Sequence, residues 1–401
     1  MRFIYKLLAA GFTLVLVLGV CGCESEPLPV PPAPVAAEDQ AETPRDDTET
    51  PEPESQAVEP GESGITIESD TAANHFPDKI TFSLQGGSDT EIETIVLEYG
   101  SDKRSLVASV NSIEPEFQKG LDIDVSWDWD MKKSGSLPPG ATVWWRWKLT
   151  DNRGNTTTTD RQTLPYEDTR FQWQTTRVSG MDIYWNGQSQ TLRSELTAEL
   201  ETRLARIQLD VTIPQERAIK VFVYRDSEQL KGAMLHEQEW VGAVAFTNYN
   251  IILTAVNEDS LDWAKGALPH EVTHLLVREY IFGPFGDIPA WLSEGLSVYS
   301  EGDLSEDRDQ SLNKAARENG LISVQSLSGS FPVDPAQAHL AYAQSGSIVN
   351  FLIKEYGWQD MRRLLQVFKE GSTYDKALLE VYALDVEGIE AEWLKYLDAD
   401  L

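Results

Sequence analysis

The hydrophobic positions of this chain follow different patterns along its length. Leu7–Val20 is an apolar run, and residues 24–63 have almost no large apolar side chains. From about residue 65, apolar residues alternate with polar ones or recur at helical spacing. Alternation predicts half-buried strands, whereas a 3.6-residue period predicts helices. The pattern therefore predicts a leader, a linker and more than one folded region, so the protein is multidomain.

The alternation in residues 64–166 predicts an all-β module. Four of its predicted strands are Glu93–Tyr99, Ser105–Val110, Leu121–Trp129 and Thr142–Leu149. Turn signals such as Leu137-Pro138-Pro139-Gly140 separate them. About seven short strands in roughly a hundred residues favour a β-sandwich, loosely similar to immunoglobulin and fibronectin modules.

The tryptophans of this module allow two interpretations. Alternation places Trp127 and Trp129 on one face of their strand, and it does the same for Trp145 and Trp147. This favours packing in the core over a platform that binds carbohydrate. The module is then a spacer that holds the rest of the chain away from a surface, or a binding module that selects a target.

Residues 170–401 mix strands with longer helical patterns, which predicts an α+β domain. The predicted strands are Arg170–Thr176, Lys220–Tyr224, Val241–Phe246 and Tyr249–Thr254, with a hairpin turn at Trp185-Asn186-Gly187. Helical patterns are expected at residues 192–209, in part of 301–319, at 346–356, and in two or three amphipathic helices over 361–401.

Charge excludes one class of partner. The net charge is −32 and the pI is about 4.4, so the chain has no basic stripe that could neutralise nucleic-acid phosphates. The acidity is concentrated in residues 24–63, which hold twelve Asp or Glu, nine Pro and a single Arg. Such a composition buries too little apolar surface to fold, so residues 23–63 are expected to be a disordered tether after the leader.

The first residues indicate export. Arg2 and Lys6 precede the apolar run, and Val20-Cys21-Gly22-Cys23 resembles a bacterial lipobox. Gly22 fits the small residue before the cut better than Val20 does, so Cys23 is the expected lipid-attachment residue and residues 1–22 the signal peptide. The alternative is an uncleaved signal anchor. Both interpretations place the rest of the chain outside the cytoplasm, held at the cell membrane.

His270-Glu271-Val272-Thr273-His274 carries the candidate chemistry. Histidines four residues apart project from one face of a helix and can share one ion, and neutral imidazole suits Zn²⁺. Glu294, in Trp291-Leu292-Ser293-Glu294-Gly295, is the natural third ligand, after a gap of nineteen residues that allows a loop and a second helix. Glu271 then lies beside the open coordination position and can accept a proton from water there.

A bare HExxH occurs by chance in unrelated proteins, so the context matters. His236-Glu237-Gln238-Glu239-Trp240 begins in the same way but lacks the second histidine, and it is expected to be an exposed polar stretch. The second segment with Glu294 and the apolar helical face around Leu275 favour a metal site at residues 270–294.

HEVTH followed by PAWLSEGLSVY resembles the gluzincin metallopeptidases, and more narrowly the peptidase MA-like domain of bacterial proteins, over roughly residues 170–401. The resemblance implies a thermolysin-like fold, one zinc ion per chain held by His270, His274 and Glu294, and Glu271 as general base. Thermolysin-like enzymes have an aspartate four residues after the ligand glutamate to orient a histidine. Val298 stands there in this chain, so the orienting partner is unknown.

The resemblance also implies substrate-binding residues. In gluzincins a strand just before the HExxH helix pairs with extended peptide through its exposed edge, and Ala243, Val244, Ala245 and Phe246 are the candidates for it. The alternative is an ordinary strand in the interior of a sheet. Tyr342 is the candidate donor to the developing oxyanion, with His339 second, although a tyrosine near a helix start is often only scaffold.

Two functions follow from these observations. The first is an exported, lipid-anchored zinc metallopeptidase that acts on peptide or protein substrates. The second is a non-catalytic surface binding or scaffold lipoprotein with a structural or degenerate metal site. The presence of Glu271 favours the enzyme, because a structural site needs ligands but no base.

Overall fold

A computed structural model describes residues 64–106, 110–134, 137–211, 217–234 and 242–400. The expected leader, the expected lipid-attachment residue Cys23, the expected tether and the segment around His236 lie outside these ranges, so they stay predictions. The described part has a β-rich N-terminal region followed by a region with a second sheet and most of the helices, which confirms the expected α+β layout. Among the described residues, no helix is both long and apolar enough to cross a membrane.

The N-terminal region forms one antiparallel sheet organised around a long strand. Its elements are β1 (Ile65–His75), β2 (Lys79–Ser101), β3 (Asn111–Ile113), β4 (Gly120–Asp130), α1 (Met131–Ser134), β5 (Ala141–Asp151), β6 (Thr156–Thr158) and β7 (Gln162–Tyr166). The first half of β2 pairs with β1 and β4, and its second half pairs with β3 and β5. Of the expected strand Ser105–Val110, residues 107–109 lie outside the described ranges, while Ser105, Leu106 and Val110 are not in a strand and β3 begins at Asn111.

Tryptophans fill the interior of this sheet, as the alternation predicts. Trp129, Trp145 and Trp147 are buried, and Trp127 is half-buried with its ring stacked on Phe82. The indole N–H groups of Trp145 and Trp147 both donate to Asp70 Oδ1, at 2.7 and 3.1 Å. A buried indole needs such an acceptor, so these rings serve packing and are not an exposed platform for sugars.

The second sheet has the strand order β11-β12-β10-β9-β8. The strands are β8 (Gln174–Val178), β9 (Met181–Trp185), β10 (Lys220–Tyr224), β11 (Ala243–Phe246) and β12 (Ile251–Ala255). Strands β9, β10 and β12 are parallel, and the two edge strands run antiparallel to their neighbours. The predicted hairpin turn at Trp185-Asn186-Gly187 is wrong, because a helix follows β9. The hairpin turn is at Ser179-Gly180, where both residues have positive φ.

Alternating residues of β10 explain how this sheet is covered. Val221 and Val223 share a core with α2 (Gln190–Leu204) and α4 (Leu261–Ile281). Phe222 and Tyr224 point the other way and share a core with the N-terminal sheet. The N-terminal sheet is therefore one layer of the interior on which the second sheet rests, and it is more than a spacer.

The remaining helices form a third core. They are α5 (Ala290–Ser300), α6 (Glu306–Arg317), α7 (Pro335–Lys369), α8 (Tyr374–Tyr382) and α9 (Val386–Asp400), and α3 (Ser227–Lys231) lies beside the second sheet. The helix expected at residues 346–356 begins earlier, at Pro335 after the Asp334 cap, and is interrupted at Gly357, whose φ is 85°. Strand β12 also begins later than expected, because residues 247–250 form a turn.

Candidate metal centre

Helix α4 brings the two motif histidines together. Asn257 caps the short helical turn before it with a capping box. His274 follows His270 by four positions, so both imidazoles leave one face of α4. His270 Nε2 lies 3.2 Å from His274 Nε2. Both side chains are buried, because the rest of the motif packs on the second sheet and on α5.

Helix α5 supplies the third group. Glu294 Oε2 lies 3.4 Å from His270 Nε2 and 3.5 Å from His274 Nε2. Ligands at about 2.0–2.1 Å from a tetrahedral ion are about 3.3–3.4 Å apart. The three donor atoms therefore have the spacing of three corners of a tetrahedron, and they leave the fourth corner open. Within the described residues, these three side chains form the group that could hold a metal ion.

The hydrogen bonding of the acidic side chains supports a metal at this position. Among the described residues, Glu294 Oε2 has no hydrogen-bond partner of good geometry, although it is buried between the two imidazoles. A buried carboxylate oxygen without a partner is costly, and a cation would satisfy it. Two imidazole nitrogens and a carboxylate oxygen are also a donor set that Zn²⁺ accepts.

Each histidine is held in place through its other ring nitrogen. His270 Nδ1 is 2.8 Å from Glu301 Oε1, and His274 Nδ1 is 3.3 Å from Ser293 Oγ. Arg308 Nη1 donates to Glu301 Oε2 at 2.7 Å, which fixes that carboxylate from the other side. A partner of this kind sets the tautomer and the direction of a ligating imidazole.

Glu301 is the orienting partner of His270 that the sequence motif left unassigned. Val298, at the position of the expected aspartate, is buried in the core. Glu301 follows Glu294 by seven residues, which is two helical turns, so its carboxylate returns to the same side of α5. Sequence reasoning missed Glu301, yet the spacing of seven residues could have indicated it.

Glu271 is placed beside the three donors. Its side chain is buried, and neither carboxylate oxygen has a hydrogen-bond partner among the described residues. Burial raises the pKa of Glu271, while the nearby His270 and His274 oppose that rise. A carboxyl group with a raised pKa is suited to take up and release a proton near neutral pH.

Charge coupling among the metal-binding side chains is strong. Burial by itself would lower the pKa of His270, but the adjacent carboxylates of Glu294 and Glu301 outweigh it and raise the pKa to about 10. Burial would raise the pKa of Glu294, but the adjacent His274 and His270 outweigh it and lower the pKa to about 2. A metal ion that binds here therefore displaces a proton from His270.

Tyr342 approaches the centre from α7. Its ring centroid is 6.3 Å from that of His270 and 5.1 Å from that of Phe331, and its side chain is nearly buried. Burial and then the charges of Glu294 and Glu271 raise the pKa of Tyr342, so the hydroxyl keeps its proton. Among the described ring contacts, it is Tyr342 and not His339 that reaches His270.

Two glycines allow close contact between α5, which carries Glu294, and α7, which carries Tyr342. A Cβ at Gly295 would lie 2.4 Å from the carbonyl oxygen of Ser345, and one at Gly346 would lie 2.4 Å from a Val298 side-chain carbon. Only glycine allows such an approach, so these two glycines let the helices cross closely.

The four residues Ala243–Phe246 form β11, which lies at an edge. Among the described strands, β11 pairs with β12 only, and α4 packs beside it. Its residues are all half-buried. Among the described strands β11 is therefore an edge strand, and its unpaired side has the backbone groups that a peptide could pair with.

Comparison with known proteins identifies a family. A family model described as "Peptidase MA superfamily" matches residues 199–399, which is half of the chain. This range contains all the metal-centre residues described above. No curated protein matches this chain.

Two solved structures show a distant likeness. A polysaccharide deacetylase from Bacillus cereus is 11% identical over 45% of this chain, with a TM-score of 0.23. A putative polysaccharide deacetylase from Bacillus anthracis is 10% identical over 45% of this chain, with a TM-score of 0.22. The matched parts span 58% and 59% of those two proteins. TM-scores this low do not establish a common fold.

Proposed function

Because the chain belongs to the Peptidase MA superfamily, we propose that it is a zinc-dependent metallopeptidase that hydrolyses peptide bonds with metal-activated water. The observation that carries the proposal is the triangle of His270 Nε2, His274 Nε2 and Glu294 Oε2, with sides of 3.2, 3.4 and 3.5 Å. A structural zinc site is usually closed by four protein ligands, whereas a catalytic site keeps one position open.

His270, His274 and Glu294 would hold one Zn²⁺ ion per chain. When bound, that ion would supply Lewis acidity for the carbonyl and lower the pKa of water at the open position. Glu301 and Ser293 hold the two imidazoles in direction through their Nδ1 atoms. Arg308 keeps Glu301 in place, so the ligands are positioned before any ion or substrate arrives.

Glu271 is the proposed proton carrier. Its carboxylate has no competing hydrogen bond among the described residues, and burial raises its pKa. In this role Glu271 accepts a proton from the attacking water and passes it to the leaving amine. Tyr342 keeps its proton and lies next to His270, which suits a donor to the oxyanion that develops on the carbonyl.

The edge strand β11 is the proposed place for the peptide backbone. Backbone pairing along Ala243–Phe246 would hold an extended segment next to α4 with little demand on its sequence. A thermolysin-like arrangement, in which edge strand, HExxH helix and ligand glutamate surround one cleft, is part of the same proposal.

Export and lipid attachment at Cys23 complete the proposal. They rest on the apolar run before Cys23 and on the acidic, proline-rich segment after it. The peptidase would then work outside the cytoplasmic membrane, to which the lipid would anchor it.

The experiment that tests the activity compares the wild-type protein with Glu271→Gln on a mixed peptide library. The substitution keeps the size and removes the proton acceptor, so hydrolysis should fall by about 10²–10⁴-fold while the zinc content stays the same. Cleavage is read by mass spectrometry and zinc by elemental analysis of the same samples. Equal turnover by both proteins at equal zinc content would rule out this mechanism.

A further inference from the structure

Helix α4 carries a positive charge one turn beyond the metal-binding histidines. Arg278 follows His274 by four residues, as His274 follows His270, so the three side chains leave α4 along one stripe. Four helical residues advance about 6 Å, and an extended peptide advances about 3.4 Å per residue. The side chain of Arg278 adds its own length to this distance. Arg278 can therefore reach a residue of a bound peptide that is about two to four positions from the one at the metal centre.

The N-terminal sheet adds a second guanidinium at the same place. The backbone N–H of Arg104, just after β2, donates to the carbonyl of Asn248 at 2.8 Å, in the turn that follows β11. Its guanidinium carbon lies 3.5 Å from the centroid of Phe282, and that of Arg278 lies 5.6 Å from the same ring. Arg104 and Arg278 are therefore neighbours at the end of the edge strand.

Arg217 completes the group, which we name the arginine cluster (Arg104, Arg217, Arg278). Its carbonyl accepts a hydrogen bond from Asn250 Nδ2 at 3.0 Å, in the turn between β11 and β12. Burial and then the charges of Arg217 and Arg278 lower the pKa of Arg104 to about 10. The Nε and Nη2 atoms of Arg217 are buried and have no hydrogen-bond partner among the described residues. A ligand that accepts from such donors is favoured.

Nearby carboxylates do not cancel this charge. Glu279 pairs with Arg104, and Asp102 is exposed at the start of the same loop. Three guanidinium groups against these two carboxylates leave an excess of positive charge at the end of β11, where Arg278 Nη1 also donates to the carbonyl of Gly286 at 3.2 Å. This excess is unusual in a chain whose net charge is −32.

We propose that the arginine cluster recognises a carboxylate on the bound peptide. The preferred segments then carry Asp or Glu about two to four residues from the metal centre, on the side where β11 ends at Phe246. The N-terminal sheet takes part in substrate selection through Arg104. This inference deepens the proposed function by naming a substrate class, and its binding test does not depend on hydrolysis.

The test measures binding to Glu271→Gln loaded with zinc. The probes are fluorescein-labelled ten-residue apolar peptides that differ only in carrying Glu, Gln or Lys at a single scanned position. At one or two positions the Glu peptide should bind about tenfold more tightly than the Gln peptide, the factor expected for a charge-assisted hydrogen bond. The difference should shrink when the salt concentration is raised.

A charge reversal separates recognition from a structural role. Glu271→Gln with Arg278→Glu should lose the preference for Glu and prefer the Lys peptide at the same position, which a merely destabilised protein would not do. The matched control is Glu271→Gln with Arg177→Gln, since Arg177 lies on β8 at the opposite edge of the same sheet. That control should bind like Glu271→Gln alone.

Equal affinity for Glu and Gln peptides at every position would overturn the inference, as would an unchanged preference after Arg278→Glu. Neither result would bear on the hydrolysis test of Glu271. Conversely, a protein without hydrolytic activity that still prefers Glu peptides would disprove the proposed reaction and leave the recognition site standing.

Discussion

Two buried acidic sites in this protein contrast with each other. Where the two sheets meet, the Asp168 carboxylate accepts hydrogen bonds from Arg170 Nε at 2.8 Å, from Arg170 Nη2 at 2.6 Å and from the Tyr224 hydroxyl at 2.9 Å. At the metal centre, both oxygens of Glu271 and Oε2 of Glu294 have no partner among the described residues.

The difference indicates what each site is for. A buried carboxylate that the protein satisfies completely holds elements together, whereas one left without partners costs stability and is retained for another reason. Asp168 thus joins the layers, and the acids of the metal centre await a cation and a substrate. Substitutions at each site should separate stability from metal binding.

The largest expected effect on stability is at Asp168. Asp168→Asn leaves Arg170 without its charge partner, and it should lower the free energy of unfolding by roughly 2–4 kcal/mol because Arg170 is only partly exposed. Chemical denaturation measures this change. The control Asp182→Asn breaks an exposed pair with Arg177 and should cost under about 1 kcal/mol. Loss of zinc by folded Asp168→Asn protein would contradict the assignment of a purely structural role.

The next effect concerns metal affinity. Glu301→Gln removes the charged partner of His270 and of Arg308. It should weaken zinc binding by about 10–100-fold, and it should also lower the stability of the zinc-free protein, because Arg308 is buried. Competition with a fluorescent chelator measures the affinity. Glu306→Gln, an exposed change in the first turn of α6, is the control and should leave the affinity unchanged. Equal affinities of Glu301→Gln and the wild-type protein would refute the orienting role of Glu301.

The local sequence was sufficient to predict the metal ligands, but it was not sufficient to predict the contacts that surround them. His270 and His274 follow from the helical period alone, and Glu294 from a second helix after a loop of plausible length. Arg308 reaches Glu301 from the next helix, and Tyr224 reaches Asp168 from another strand, so no local pattern could indicate these contacts. The alternation of apolar and polar residues also could not show that β2 pairs with different strands along its two halves. Nor could it show that Phe222 faces the N-terminal sheet.

The wrong hairpin has a similar cause. Asn186-Gly187 has the composition of a tight turn, and Gly187 does have a φ of 87°. The chain after it nevertheless forms α2, because Ser189 caps the helix by accepting the N–H of Leu192. Turn chemistry thus indicates where a chain reverses and not which element comes next.

The smallest effect is a pH dependence of the zinc-free protein. The pKa of His270 is raised from 6.5 to about 10, so its stabilisation is present below pH 6.5 and is lost as the pH rises towards 10. The pKa of Glu294 is lowered from 4.5 to about 2, so its stabilisation is present above pH 4.5 and is lost as the pH falls towards 2. The contribution of His270 and Glu294 to stability should therefore be largest between about pH 4.5 and pH 6.5.

Thermal unfolding with a chelator present measures this dependence. The Tm should be higher at pH 6 than at pH 9, and the difference should be smaller in His270→Gln. Zinc binding should show the opposite trend over neutral pH, because a bound ion displaces the proton of His270. An identical difference in Tm for His270→Gln and the wild-type protein would show that other groups cause it.

The most direct test of the central claim is anomalous X-ray diffraction at the zinc edge on crystals of the purified protein. One strong peak is expected about 2.0–2.2 Å from His270 Nε2, His274 Nε2 and a Glu294 carboxylate oxygen. A zinc-loaded crystal with its peak elsewhere, or with the Glu294 side chain turned away from both imidazoles, would contradict it.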